Sequence, residues 1–222
     1  RRQRQMCIRD RRCADLDKIV GQITGKPLEV IVTHMHPDHA GCIKYFDKVW
    51  MHRADTVLVP QHAADYQGEF LYMEEGQVFD LGGRKLEVAW MPGHTPGSVV
   101  LLDKANGGCY SGDAFGSGEV WLQCVPMSPI ATFHESCCRM EKLMKEGHIK
   151  DIWCGHYPYL KSSLPLAYIQ TMIRISHRLM NGDQEGSEPY SNYFIKMPPT
   201  ARKLAEGRAM IVYDSTNIPE AR

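Results

Sequence analysis

The chain has 222 residues, 43% of them apolar, with 26 basic side chains balanced by 26 acidic ones. This length and apolar content suit a single domain with a real core. The absence of net charge argues against a nucleic-acid or anionic-membrane partner, and no apolar run reaches the ~18 residues of a membrane-spanning helix.

Arg1 to Asp10 has neither helical nor strand period. It resembles, residue by residue, one reading frame of a transposase-type sequencing adapter, and the match continues into Arg11. Residues 1–11 are therefore expected to be non-native, with natural sequence missing before Arg12, and they are set aside from fold reasoning. The basic stretch to Arg12 is followed by no apolar segment of the kind a secretory leader carries. The eight cysteines form no C-x-x-C pair, so reduced thiols and a cytoplasmic location are expected.

In chain order, Leu16, Ile19, Val20 and Ile23 recur at helical spacing, which predicts an amphipathic helix over 14–24 that Gly25-Lys26-Pro27 stops. A short β-branched strand follows over 28–33. Residues 40–46 read as a short helix and 48–51 as the next strand, so the rhythm is α/β. Residues 53–66 have helical character broken by Pro60, and His52 and His62 in this region read as surface histidines. Strands are predicted over 77–81 and 85–90 around a Gly82-Gly83 turn, then over 99–102 and 109–111. Residues 114–130 read as loop. A helix over 132–146 ends at Gly147, a strand covers 149–154, a helix 166–180, and a last strand 208–213. Residues 187–199 show no clear pattern.

The chemistry concentrates at His34-Met35-His36-Pro37-Asp38-His39, directly after the 28–33 strand. A lone histidine belongs to the surface or core in most proteins. Three histidines and an aspartate at this spacing point to metal. Residues two apart on extended chain face the same way, so His34 and His36 can grip one ion, while Asp38 and His39 sit at the turn and can face another. Three further ligand-type residues each follow a glycine after a predicted strand: His94, Asp113 and His156. Together these make seven candidate ligands, enough for two metal ions.

The motifs Thr33-His34-x-His36-x-Asp38-His39-Ala40-Gly41, Pro92-Gly93-His94-Thr95-Pro96-Gly97-Ser98, Ser111-Gly112-Asp113 and Gly155-His156, in this order, resemble the metallo-β-lactamase-fold hydrolase superfamily over nearly all of residues 12–222. The resemblance implies an αββα sandwich, here expected to lack part of its N-terminal β layer. It implies His34, His36 and His94 on a first metal, Asp38, His39 and His156 on a second, and Asp113 bridging the two. A bridging carboxylate is typical of the hydroxyacylglutathione-hydrolase-like thioesterases and the phosphodiesterases, and absent from the enzymes that hydrolyse β-lactams. With no acidic residue in the first group, two zinc ions are expected, with manganese or iron as alternatives.

The implied reaction is attack by a metal-bridging hydroxide, oriented by Asp38, on a small ester or thioester. The alternatives are a phosphodiesterase of the same fold and a catalytically impaired metal-binding fragment. The substrate is expected to be a small molecule. Phe115 and Trp121, in the loop after Asp113, are candidate pocket walls, and Tyr157 is a candidate donor to a substrate oxygen. The family also carries an Asp-containing turn that braces the ligand histidines from behind, and no counterpart precedes Ala14.

Overall fold

The structure is a computed structural model that describes residues 15–193 and 196–219. The adapter-like residues 1–11 lie outside this range. The helices are α1 (Leu16–Ile23), α2 (Pro37–Ala40), α3 (Val59–His62), α4 (Ile130–Lys145), α5 (Tyr157–Leu160) and α6 (Leu166–Met180). The strands are β1 (Lys48–His52), β2 (Glu69–Met73), β3 (Val78–Asp80), β4 (Lys85–Trp90), β5 (Val99–Asp103), β6 (Gly108–Gly112), β7 (Glu119–Trp121), β8 (Asp151–Cys154), β9 (Glu188–Pro189), β10 (Ala201–Glu206) and β11 (Ala209–Asp214).

The central sheet has the order β3-β4-β5-β6-β8. Its middle strand explains the layering. Every residue of β5 is buried. Val99 and Leu101 pack with Val88, Phe79 and Met73 on one face, and Val100 and Leu102 pack with Ala89, Cys109, Phe133 and Met140 on the other. A strand covered on both faces has no polar side to show, so it reads as an unbroken apolar run.

Beyond the first face lies the parallel pair β1-β2. Here the burial alternates. Trp50 meets Phe79 of the central sheet edge to face, with ring centroids 5.3 Å apart. Val49 and Met51 point the other way, into a cluster with Met35, Ala40, Ile43 and Leu58 beneath the short helices. Beyond the second face lie α4 and α6, whose buried residues recur at three and four, as in Tyr168, Ile169, Met172, Ile175 and Leu179. A third sheet, β7-β11-β10-β9, packs against α6 and completes the larger core.

Strand direction places the site. β4 and β6 are each antiparallel to β5, and β8 is parallel to β6. The carboxyl ends of β4, β6 and β8 therefore emerge at the same edge of the sheet, and the segments carrying His94, Asp113 and His156 leave from it. Thr33 reaches the same edge, where its carbonyl accepts from the Val99 amide at 2.9 Å. At the opposite edge the buried Asp103 carboxylate accepts from Arg84 (2.6 Å) and Asn106 (2.9 Å), tying two hairpin turns together.

Several expectations change in the folded chain. The strand expected over 28–33 is a single parallel bridge between Ile31 and Trp50, held by two backbone bonds at Val30 and Val32. Pro27 supplies no donor just before it. The helix expected over 40–46 divides into α2 and a 3-10 turn, Ile43–Tyr45. Pro60 starts a helix rather than breaking one, since it falls in the first turn of α3, where its missing N–H costs nothing. Four strands had no predicted counterpart, β2, β7, β9 and β10, and β7 lies inside the expected loop. β7 pairs with β11, far along the chain, and β2 pairs with β1 across the intervening 3-10 turn and α3. Helix α1 forms as its spacing predicts, yet none of its residues is buried, and Ile23 is 70% exposed.

The two-sided burial of β5 makes a quantitative test. Leu102→Ala should cost about 2–5 kcal/mol, and Val78→Ala, on a half-exposed edge residue, should stay within about 0.5 kcal/mol. Chemical denaturation of both variants checks the difference.

Candidate metal centre

At the shared edge the chain gathers its ligand-type side chains into two groups. His34, His36 and His94 form one, and Asp38, His39, Asp113 and His156 form the other; within each, ligand atoms lie within 4.8 Å of one another. His36 Nδ1 and His94 Nε2 are 2.9 Å apart. In the second group, His156 Nε2 is 2.8 Å from Asp113 Oδ2 and 3.4 Å from Asp38 Oδ2. His39 Nε2 is 3.3 Å from Asp113 Oδ2 and 3.7 Å from Asp38 Oδ2. Ligands about 2.0–2.1 Å from a tetrahedral zinc lie about 3.3–3.4 Å from each other, so this spacing suits one ion per group.

The far side of each ring determines which nitrogen faces the site. His94 Nδ1–H donates to the Trp121 carbonyl at 2.8 Å, leaving Nε2 turned inward. His34 Nδ1 lies 3.3 Å from the Thr33 hydroxyl, and its Nε2 is a buried atom with no hydrogen-bond partner. Asp113 Oδ1 is another such atom. Buried polar atoms are almost always paired, so these two orphans fit ligand groups that would hold a cation.

The electrostatics agree. Burial, helped by the neighbouring imidazoles, holds His34 and His36 well below the usual imidazole range, and burial also lowers His94. These rings are neutral, the form that binds metal. Burial alone would raise the Asp113 carboxyl, but His39, His156 and His34 outweigh it and hold that group well below the usual carboxylate range. Gly155 is required by the close approach. A Cβ there would collide with Asp113 Oδ1 and stand 2.7 Å from the His39 ring.

The sequence model of the metallo-beta-lactamase superfamily matches residues 18–134, more than half of the chain. The chain belongs to the metallo-β-lactamase superfamily. Among its relatives, human acyl-coenzyme A thioesterase MBLAC2 is 28% identical over 159 residues, covering 60% of this chain and 57% of the thioesterase. Hydroxyacylglutathione hydrolase of Rhodopseudomonas palustris is 28% identical over 149 residues, covering 64% of this chain and 52% of that enzyme. The chain thus spans little more than half the length of these relatives. Among solved structures, the di-iron-bound form of TTHA1623 superposes with a TM-score of 0.53 at 24% identity, covering 69% of this chain and 81% of the other. DIM-1 metallo-β-lactamase gives 0.54 at 16% identity, with 76% and 78% covered. The fold is the superfamily's α/β sandwich.

Around this metallo-β-lactamase-type site, the three candidate pocket residues fare differently. Phe115 is wholly buried in the larger core, so it offers a substrate no surface, and the expected wall role is corrected. Tyr157 is 40% exposed, but its hydroxyl donates to the Lys161 carbonyl at 3.1 Å rather than toward the site. Trp121 is half-buried; its carbonyl orients His94, and its indole N–H donates to Glu119 at 3.0 Å.

Other residues join the site without a local signature. His62, read as a surface residue, is half-buried with its ring 5.9 Å from that of His36. Cys124 lies near Asp38, and burial together with that carboxylate pushes its thiol up to about 11. Asp55 is 1% exposed and accepts hydrogen bonds from both ligand-bearing loops.

Gly155→Ala should weaken metal binding at least about tenfold, the lower end of what displacing ligand-orienting contacts costs. Metal content after dialysis against a chelator measures this, and a wild-type content would contradict the close-approach account.

Proposed function

We propose that this chain is a dinuclear metallo-hydrolase acting on a small-molecule ester or thioester, with zinc as its metal. The observation that carries the reading is Asp113, an ionised carboxylate buried in the second ligand group, lowered electrostatically also by His34 of the first, with one oxygen unpartnered. The names of two relatives, an acyl-coenzyme A thioesterase and a hydroxyacylglutathione hydrolase, support a thioester. Three histidines with no carboxylate in the first group favour zinc over iron. A cytoplasmic location is part of the proposal; among the described residues no helix is long and apolar enough to cross a membrane.

His34, His36 and His94 would hold one ion, and Asp38, His39 and His156 the other, with Asp113 shared between them. Two such ions supply water activated at neutral pH and Lewis-acid stabilisation of charge on the substrate. The chain contributes the positioning. Thr33 and the Trp121 carbonyl hold the His34 and His94 rings in orientation. Asp38 is the most open of the second group, its side chain 37% exposed against 20% for His156 and 6% for His39. It therefore marks the side from which substrate arrives, and its carboxylate is placed to orient the attacking water and hold a proton.

Purified protein should turn over S-lactoylglutathione or an acyl-coenzyme A thioester in preference to bis-p-nitrophenyl phosphate, and the reverse preference would make it a phosphodiesterase. His36→Ala and Asp113→Ala should each lower kcat/KM by at least the ~100-fold that loss of an orienting partner can cost, with metal content falling in parallel. Full activity in metal-free protein would sink the proposal. Chelation should also lower the melting temperature, since an ion bound only by the folded state stabilises it.

A further inference from the structure

The two loops that carry the first ligand group come from distant parts of the chain, and one buried carboxylate joins them. Asp55 sits in the 3-10 turn after β1. Its Oδ2 accepts from the Met35 amide and the Thr95 hydroxyl, each at 2.9 Å. Its Oδ1 accepts from the Gly97 amide at 2.6 Å. Met35 lies between His34 and His36, and Thr95 follows His94. Thr95 is itself held by Ser98, whose hydroxyl accepts from its amide at 3.0 Å and lies 2.9 Å from its own hydroxyl.

We infer that Asp55 is a positioning residue, which clamps the His34–His36 loop against the His94 loop and so sets the spacing of the first metal group. Every bond of the clamp lies within one residue of a first-group ligand or in the Thr95–Ser98 turn that follows His94. None reaches Asp38, His39, Asp113 or His156. The packing is specific to a carboxylate at this depth. A Cβ on residue 97 would stand 2.6 Å from Asp55 Cγ, so the Pro-Gly turn after His94 is shaped to let the carboxylate approach. All three partners are donors, so an ionised carboxylate satisfies them and an amide cannot. Asn in place of Asp keeps the shape but turns an N–H toward a donor, which leaves a buried group unpaired. The inference rests on the metal reading above for its consequence, not for its geometry.

The test is titration of metal-free protein with cobalt(II), following visible absorption and the number of ions bound. Asp55→Asn should weaken one of the two ions about 10–100-fold, the cost of losing an orienting partner, and leave the other unchanged. Thr95→Val should weaken the same ion by a smaller factor, and Thr95→Ser should restore it. Equal weakening of both ions, or of neither, would overturn the inference. If Asp55→Asn does not fold, the Thr95 pair decides, because a Thr95→Val variant that binds like wild type overturns it too. A second measurement needs no ion. In the metal-free chain Asp55→Asn, or Thr95→Val in its place, should move the imidazole ¹⁵N resonances of His36 and His94 and leave that of His156. A wild type that binds no cobalt would remove the hydrolase reading, while these resonances would still decide the role of Asp55.

Discussion

The structure depends on keeping one ionised carboxylate deep in the protein. Asp113 lies beside three imidazoles, and an isolated charge at that depth would cost more than most single interactions return. It is stable there because β6 and β8 run parallel and end together. The backbone bond from Gly155 to the Gly112 carbonyl, at 2.7 Å, delivers His156 next to it. The same edge brings His94 from β4 and His34 from the segment beside β5. Five imidazoles and two carboxylates gathered in this space make a donor set that could hold metal ions.

That demand makes the layering useful. A sheet buried on both faces is rigid, and loops leaving one edge of it inherit that rigidity. The ligand rings are then fixed by contacts made on their outer sides. The Trp121 carbonyl holds His94, and β7, which carries it, is held by β11 near the C-terminal end of the chain. A strand with no obvious relation to the metal motifs therefore orients one of their ligands. Asp55 does the corresponding work between loops, through backbone amides rather than rings.

Much of the fold was legible because its signals are local. The spacing of Tyr168, Ile169, Met172, Ile175 and Leu179 specifies α6 with no help from other elements. The apolar run from Val99 to Leu102 specifies a strand buried on both sides. The ligands were legible for a different reason. A histidine or aspartate after a glycine is common by itself, but three of them together with the His34–His39 cluster supply seven ligands. What escaped was whatever depends on a distant partner. The strand β7 is three residues long and is held by its pairing with the distant β11. Asp55 bonds to residues 20, 40 and 42 positions away, so nothing in its immediate surroundings distinguishes it from a turn aspartate. Phe115 looked like a pocket wall because it follows Asp113, yet the chain turns after Asp113 and carries it into the core.

The sequence by itself determined the type of chemistry, because metal ligation is written in residue identity and short spacing, and both survive without coordinates. It also placed the strands that end before His94, Asp113 and His156. Only the tertiary structure brought the seven candidates together in space as two groups, because strand direction and register are properties of pairing and not of any one segment. It also decided which ring nitrogen faces inward and which buried aspartate binds the two loops together. Those choices are made by hydrogen bonds between residues far apart in the chain, and no local pattern encodes them.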